Sequence, residues 1–379
     1  MNEQLNLYDS YRPLFPVTEQ YTYLNHAAAS PAPMSVVKAV TDLYDEFSHF
    51  GIRSYSKWMK RIEEVRIMCA GLIKADNHEI AFVQNTSGGL STIAAGLEWK
   101  QGDIVLVPRP EFPSNVYPWL NLERQGVTTG YISRKDGYFG VKELEKALRP
   151  QTRLISVSSV DFLSGFCCNL EEIGSFCQRK GILFCVDAIQ SLGAIPVDVK
   201  KCGIHFLVAG SHKWLLSSMG CGILFISKDV NEQIHPVQVG WKSVVEEENF
   251  CEIDFDLKID ALRFEPGSMN IAGIYALGAA LELILEIGVE NIYDHVLAIN
   301  NMIFKGLKKR QQRIYSSMEQ RDRSGILSFI PSVDPQKLFY FLLENKIMVS
   351  LRGEYIRLAP HFYNNHDDTI TFFKAFDNF

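Results

Sequence analysis

The sequence has no excess of positive charge, no membrane-length hydrophobic run and no leader-like start. Its 379 residues include 38 Lys and Arg against 44 Asp and Glu, a net charge of -6. This balance argues against nucleic-acid binding and offers no basic surface to a membrane. The first residues, Met1–Asn6, lack the basic flank and apolar core of a signal peptide. We therefore expect a cytoplasmic protein without a nucleic-acid or membrane partner.

Cysteine motifs and a dinucleotide-binding motif are also missing. The eight cysteines form no C-x-x-C pair, so the sequence predicts no zinc site, and none of them lies after Cys251. Cys177, Cys185 and Cys221 lie in apolar segments, which favours buried free thiols over disulfides. No G-x-G-x-x-G motif follows an early strand, which argues against a Rossmann dehydrogenase.

The hydrophobic pattern predicts an α/β fold with two domains, because 379 residues exceed one ordinary core. Short apolar strands alternate with amphipathic helices from about residue 80 to 230. This alternation indicates a mostly parallel central sheet covered by helices on both faces, with ligands at the carboxyl ends of the strands. We predict an N-terminal arm (1–15), a large α/β domain (16–260) and a smaller α+β C-terminal domain (261–379).

An acid and an amine are predicted to lie at neighbouring strand ends. Asp187 ends the apolar run Phe184–Val186, and Lys213 follows the apolar run Ile204–Ala209. A lysine that bonds to an aldehyde and a carboxylate that keeps a pyridine nitrogen protonated are what pyridoxal phosphate (PLP) chemistry requires. The residues alone leave open an N-cap or a structural ion pair for Asp187, and a solvated charge for Lys213.

Several small and polar residues are candidates for binding a phosphate. The segment Asn85–Gly89 follows a strand and opens a helix, where free backbone amides favour an anion, although an ordinary N-cap is the alternative. The candidates in this segment are Thr86, Ser87 and Gly88. Ser211 and His212 offer donors beside the lysine, but His212 is equally compatible with a structural role. Ser268 also precedes a helix and could serve a phosphate.

Five further residues are weaker candidates for the same site. Gln190 could donate to the phenolic oxygen of PLP, and Phe112 could stack on its ring, although phenylalanine is more often a core residue. Arg357 alternates along a predicted strand and could bind a substrate carboxylate, with a surface arginine as the alternative. Asn25 and His26 lie among small residues that would leave room for a ligand.

With these residues assembled, the chain resembles the class V aminotransferase family, from Tyr23–His26 to Arg357. The most specific parts of the resemblance are Val186–Gly193 and Ser211–Lys213. The family includes cysteine desulfurases, isopenicillin N epimerase, kynureninase and cysteine/cystine C-S lyases. The resemblance implies the fold of a fold-type I PLP-dependent transferase, PLP as the cofactor and a small amino acid as the substrate.

The family also implies a role for each candidate residue. Lys213 would be the Schiff-base lysine and proton shuttle, with Asp187 on the pyridine nitrogen and Gln190 on the ring oxygen. The phosphate would be held by Thr86, Ser87, Gly88, Ser211 and His212, and the ring would stack on Phe112. Ser268 would reach the cofactor of the other subunit, which implies a homodimer. The substrate would be bound by Arg357, with Asn25 and His26 nearby.

Three departures from the family pattern narrow the expected reaction. Many members stack a histidine where this chain has Phe112, and desulfurases often have an asparagine where Val160–Gly165 offers none. Persulfide-forming desulfurases carry a cysteine on a C-terminal loop, and this chain has none after Cys251. A conventional persulfide-forming cysteine desulfurase is therefore not expected, and we take transamination as the default reaction. The alternatives are C-S bond cleavage by β-elimination, a desulfurase-like or epimerase activity, and a non-catalytic protein with the same fold.

Overall fold

The computed structural model describes residues 8–134, 137–317 and 319–379. The strands, in chain order, are β1 (Thr22–Tyr23), β2 (Ile80–Val83), β3 (Ile104–Arg109), β4 (Thr128–Ser133), β5 (Thr152–Ser158), β6 (Leu183–Asp187), β7 (Phe206–Gly210), β8 (Gly222–Ile226), β9 (Arg313–Ile314), β10 (Leu327–Ile330), β11 (Ile347–Met348), β12 (Ser350–Arg352) and β13 (Tyr355–Leu358). The α-helices are α1 (Met34–Phe50), α2 (Tyr55–Ile73), α3 (Thr86–Gly96), α4 (Tyr117–Leu120), α5 (Val141–Ala147), α6 (Leu170–Lys180), α7 (Ile271–Ile287), α8 (Val289–Lys309), α9 (Pro335–Glu344) and α10 (His366–Asp377).

Seven strands form the large central sheet in the order β2-β8-β7-β6-β5-β3-β4. Strands β7, β6, β5, β3 and β4 pair in parallel, whereas β8 runs antiparallel to both of its neighbours. The predicted mostly parallel sheet is confirmed. Its strands β6, β7 and β8 are buried along their whole length, as expected for near-continuous apolar runs covered on both faces.

Each face of this sheet packs against its own set of helices. Alternate residues of β6 show the division, because Phe184 and Val186 belong to one buried cluster and Cys185 to the other. The first cluster includes residues from α2, α5, α6 and α7, and the second includes residues from α3 and α4. The helices predicted from the sequence therefore cover both faces.

A third buried cluster lies mainly in the C-terminal part of the chain. The antiparallel sheet β12-β13-β10-β9 packs against α8, α9 and α10 around residues such as Ile303, Phe329 and Phe372. The short parallel pair β1–β11 joins the beginning of the chain to this region. Helix α7 packs with the core of the large sheet, whereas this C-terminal core includes Leu24 and then residues from Ile299 onward, so the domain boundary at 260/261 stays a prediction.

A few local features differ from the sequence expectation or complete it. One of the alternating helices is short: α4 ends at Leu120, and a 3-10 turn continues to Gln125 before Gly126 adopts a left-handed conformation at φ 79°. Residues 1–7 of the predicted arm lie outside the described residues. Across the described ranges no single helix is long and apolar enough to cross a membrane. The consecutive helices α7 and α8 pass that test together, but they are bent by 79°.

Candidate active site

The acid and the amine singled out in the sequence lie together at the carboxyl edge of the large sheet. Asp187 is the last residue of β6, and Lys213 follows β7, the adjacent parallel strand. Only 1% of Asp187 and 9% of Lys213 is exposed. The backbone N–H of Ile189 donates a hydrogen bond to Asp187 Oδ1 at 3.0 Å. The strand order therefore brings these two residues together as predicted.

Burial perturbs the pKa values of both groups. It raises the pKa of Asp187 to about 6, although the Ile189 amide and the charge of Lys213 both lower it. Burial also lowers the pKa of Lys213 to about 8, an effect that Asp187 opposes and two arginines reinforce. A lysine with a lowered pKa is a better nucleophile and base near neutral pH, and such shifts cluster at functional sites.

The predicted phosphate segment lies beside the lysine loop because α3 packs closely on β7. A Cβ atom at Gly89 would come within 2.4 Å of Val208, so only glycine allows this approach. The Gly210 N–H then donates to Thr86 Oγ1 at 3.0 Å. The Asn85 side chain caps the Gly88 amide, and the backbone amides of Thr86 and Ser87 have no acceptor in the described part of the chain. Those two amides are available to an anion.

The hydroxyl groups near this helix end are not equally available. Ser87 Oγ lies 2.7 Å from Ser114 Oγ, at the exposed side of the helix. The Ser211 hydroxyl donates to the backbone carbonyls of Ser218 and Cys221, at 2.9 and 2.8 Å, and is fully buried. These bonds hold the lysine loop in place. Because a serine has one hydroxyl proton and these carbonyls already accept it, the bonds do not favour the predicted contact between Ser211 and a phosphate, which stays a prediction.

Gln190 is buried with its amide oriented by two partners. Its Oε1 accepts from the Trp214 indole at 2.8 Å, and its Nε2 donates to the Ala27 carbonyl at 3.0 Å. This arrangement leaves one N–H of Nε2 for a ligand oxygen, which is compatible with the predicted role.

The predicted stacking residue lies over the lysine. The Phe112 ring centroid is 5.6 Å from Lys213 Nζ, and its ring meets Phe162 edge to face at 5.3 Å. Phe112 is 38% exposed, so part of its ring is accessible to a ligand.

The two candidate histidines have different surroundings. Burial and the adjacent Lys213 both lower the pKa of the half-buried His212. His26 is fully buried, with Nδ1 donating to the Ala359 carbonyl at 2.8 Å and Nε2 accepting from the Tyr363 hydroxyl at 2.7 Å. Burial also lowers the pKa of His26 well below its ordinary value. Both nitrogens of His26 have protein partners, so its predicted substrate contact stays a prediction that the structure does not favour.

Arg357 is a buried guanidinium without a carboxylate partner among the described residues. It donates to the Phe162 carbonyl at 2.6 Å and to Ser350 Oγ at 3.4 Å, and its Nε has no hydrogen-bond partner. Burial and the charge of Arg352 lower the pKa of Arg357 to about 9. Asn25 Oδ1 accepts from the same Ser350 hydroxyl at 2.6 Å. The arrangement suits the binding of an anion by Arg357.

Ser268 lies in a separate cleft of about 800 Å³ that also includes Gly88, but neither Lys213 nor Asp187 lines it. The loop that carries Ser268 is held by Glu265, whose carboxylate accepts from Arg66 at 2.6 Å and from the Phe82 amide at 2.7 Å. The structure therefore places Ser268 near the phosphate segment of its own chain. Its predicted contact with a second subunit stays a prediction.

Sequence reasoning missed a buried charged cluster beneath Phe112. Glu111 accepts from the Phe112 amide at 2.7 Å and from the Ser158 hydroxyl at 2.8 Å, and Arg134 lies 3.6 Å from it. Arg134 also pairs with Asp161 at 2.5 Å. Burial raises the pKa of Glu111 to about 7. Glu111 and Asp161 precede Phe112 and Phe162 in the chain, so the cluster holds the backbone next to both rings. The one feature of the sequence that could have indicated this cluster is the position of Glu111 next to the candidate Phe112.

The fold and the site have the architecture of a fold-type I PLP-dependent enzyme. The aminotransferase class-V family matches residues 22–360, so the chain belongs to that family. It is 30% identical to a probable cysteine desulfurase of Methanothermobacter thermautotrophicus, with 93% of each chain covered. The apo cysteine desulfurase of Thermococcus onnurineus NA1 has a TM-score of 0.90 and 27% identity, with 97% of each chain covered. A C-DES mutant with glycine covalently linked to PLP shares the fold (TM-score 0.90, 23% identity, 96% of this chain and 98% of that one).

The family supports PLP as the cofactor, and the residues present fit it. Asp187 is a buried carboxylate that forms no ion pair within 4.0 Å with Lys213, so it lacks the counter-charge that a protonated ring nitrogen would supply. The free amides of Thr86 and Ser87 fit the phosphate, and Phe112 fits the ring face. Lys213 would carry the aldehyde carbon.

Proposed function

We propose that this protein is a PLP-dependent enzyme that acts at the Cα of a small amino acid, with transamination as its reaction. The observation that carries the proposal is Lys213, a buried amine whose pKa is lowered to about 8 and which interacts electrostatically with Asp187 and with Arg357. When bound, PLP supplies a ring that accepts electrons from the amino acid. Arg357 binds the α-carboxylate and thereby orients the Cα proton, which Lys213 Nζ removes as a general base.

Sulfur elimination from cysteine or cystine is the second candidate. Its support is the combination of relatives named as cysteine desulfurases with a set of mostly buried thiols, none of which lies after Cys251. Of the eight cysteines, only Cys251 is exposed, and burial raises the thiol pKa at the others, to about 12 for Cys185 and Cys221. An elimination needs no acceptor thiol, since cysteine and water give pyruvate, ammonia and sulfide. The same proton removal by Lys213 would begin it.

The first experiment tests the lysine and then separates the two reactions. The protein is purified with PLP and treated with borohydride, which should fix the cofactor covalently in the wild type and in Lys201→Ala, an exposed-lysine control, but not in Lys213→Ala. Alanine, glutamate and cysteine are then added with and without a keto acid. Amino-group transfer only with the keto acid supports transamination, and sulfide and pyruvate without it support the lyase. Absence of a bound chromophore after PLP addition would contradict the enzyme proposal.

We also infer a homodimer in which Ser268 approaches the phosphate of the partner's cofactor. Its support is a set of large apolar side chains that are exposed on α1, on the turn that follows it and on the connector before residue 260. They are Tyr44, Phe47, Phe50, Ile52, Phe250, Ile253, Phe255 and Ile259. Large apolar side chains exposed in such number usually mark an interface.

A further inference from the structure

A second arginine lies on the same face of the small sheet as Arg357. Ser350 and Arg352 are two residues apart on β12, so their side chains leave the strand on one side. Ser350 is paired with Arg357 of β13, which puts Arg352 diagonal to Arg357 on that side. The intervening residues Leu351 and Ile356 point the other way, into the small core. Arg352 and Arg357 therefore both face the site.

The two arginines leave this side of the site with uncompensated positive charge. Across the described ranges no acidic side chain lies within 4.0 Å of either guanidinium. Asp161 acts electrostatically on Arg357 but is committed to Arg134 at 2.5 Å. Within the described part of the chain, Arg352 donates only to the carbonyl of its own neighbour Leu351, at 3.1 Å.

The charge of Arg352 also reaches the reacting end of the site. It lowers the pKa of Arg357 and, more weakly than burial and Arg357, that of Lys213. Glu354, the acid nearest to Arg352 in the chain, interacts with Tyr355 instead. An amino acid brings one α-carboxylate, which neutralises Arg357 and leaves Arg352 as a second, hydrated cation.

We propose that Arg352 binds an anionic group on the substrate side chain, so that the preferred substrates are amino acids with a side-chain carboxylate or sulfinate. The proposal rests on the function proposed above. A guanidinium donates two parallel hydrogen bonds to a carboxylate or a sulfinate, and the opposite charges strengthen both bonds. A neutral side chain lacks this electrostatic attraction. Phe112 and Phe162 meet edge to face at 5.3 Å, and the Phe162 carbonyl accepts from Arg357, so apolar rings lie next to the arginine side of the site.

The test measures binding to the holoenzyme by the change in cofactor absorbance, which does not depend on turnover. L-aspartate, L-glutamate and L-cysteine sulfinate are titrated against L-alanine and L-cysteine. At least one acidic amino acid should bind about tenfold to a hundredfold more tightly than alanine. In Arg352→Gln that ratio should fall about tenfold or more, whereas Arg179→Gln, an exposed arginine on α6, should keep it. Comparing aspartate, glutamate and the sulfinate identifies which anion and length fit.

Two results separate failure of this proposal from failure of the proposed function. If alanine binds as tightly as every acidic amino acid, or if Arg352→Gln weakens all of them equally, Arg352 does not select the side chain. If no amino acid changes the absorbance of the holoenzyme, the Cα chemistry itself is wrong. The kcat/KM values for the same substrates provide the second readout, because a selectivity residue should change their ratio.

Discussion

Replacing Asp187 by asparagine should change how the stability of the cofactor-free protein depends on pH. Burial raises the pKa of this carboxyl from 3.8 to about 6. A raised pKa means that the folded protein holds the proton more tightly than the unfolded chain does. The stability contributed by Asp187 is therefore fully present below pH 3.8 and is lost as the pH rises through about 6.

The magnitude follows from the two pKa values. At about 1.36 kcal/mol for each pKa unit, ionising the buried carboxyl costs about 3 kcal/mol of folding free energy above pH 6. Asparagine has no proton to lose, and its Oδ1 can keep the hydrogen bond from Ile189. Lys213, whose pKa in the folded protein is about 8, stays charged at lower pH. It therefore adds nothing to the pH-dependent difference in folding free energy between the wild type and Asp187→Asn.

The assay is urea unfolding of cofactor-free wild type and Asp187→Asn between about pH 4 and about pH 7. The variant should gain about 3 kcal/mol relative to the wild type across this range. Asp254→Asn, which changes an exposed carboxylate in the connector, is the matched control and should follow the wild type. Parallel curves for wild type and Asp187→Asn would refute the argument, because they would show that burial does not hold the proton on Asp187.

Two further substitutions test packing and assembly. Gly193→Ala should destabilise the protein by about 2–3 kcal/mol, seen as a lower melting temperature, because Gly193 has φ 95° and a Cβ there would lie 2.2 Å from the Trp214 carbonyl. The control Gly71→Ala, in open space on α2, should instead stabilise the protein by up to about 1 kcal/mol. Equal effects of the two substitutions would contradict this argument. In analytical ultracentrifugation, Ile52→Glu, at a position 71% exposed, should change the protein from a dimer of twice 43.0 kDa to a monomer of 43.0 kDa. The control Val333→Glu, at another exposed position, should remain a dimer. A dimer that persists in Ile52→Glu would exclude the turn after α1 from the interface.

The sheet and the reacting pair were predictable because their signals are local. The run that ends in Asp187 is continuously apolar, and the run before Lys213 is interrupted only by His205, as expected for short strands buried on both faces. A parallel sheet then aligns their carboxyl ends without further information. The helix start at Thr86 was equally local, since a strand, a cap residue and glycines follow one another directly in the chain.

The parts that sequence reasoning missed depend on contacts between distant residues. The two partners of His26 lie more than 300 positions away, so nothing beside His26 marked it as structural. Arg134 and Asp161 each look like a surface charge until the fold pairs them beneath the site. Ser211 differs from these cases, because its acceptors Ser218 and Cys221 lie nearby in the chain, but only the conformation of the loop brings their carbonyls to the Ser211 hydroxyl.

The pairing of β1 with β11, and of Asn25 with Ala359, sets an order of assembly during synthesis. The ribosome releases the chain from its beginning, and domains fold as they emerge. Residues 22–25 must wait without a strand partner until the segment after residue 346 has been made. The sheet that carries Asp187 and Lys213 needs nothing from that segment for its own strand pairing. A nascent chain can therefore present its reactive lysine before the arginine side of the pocket exists.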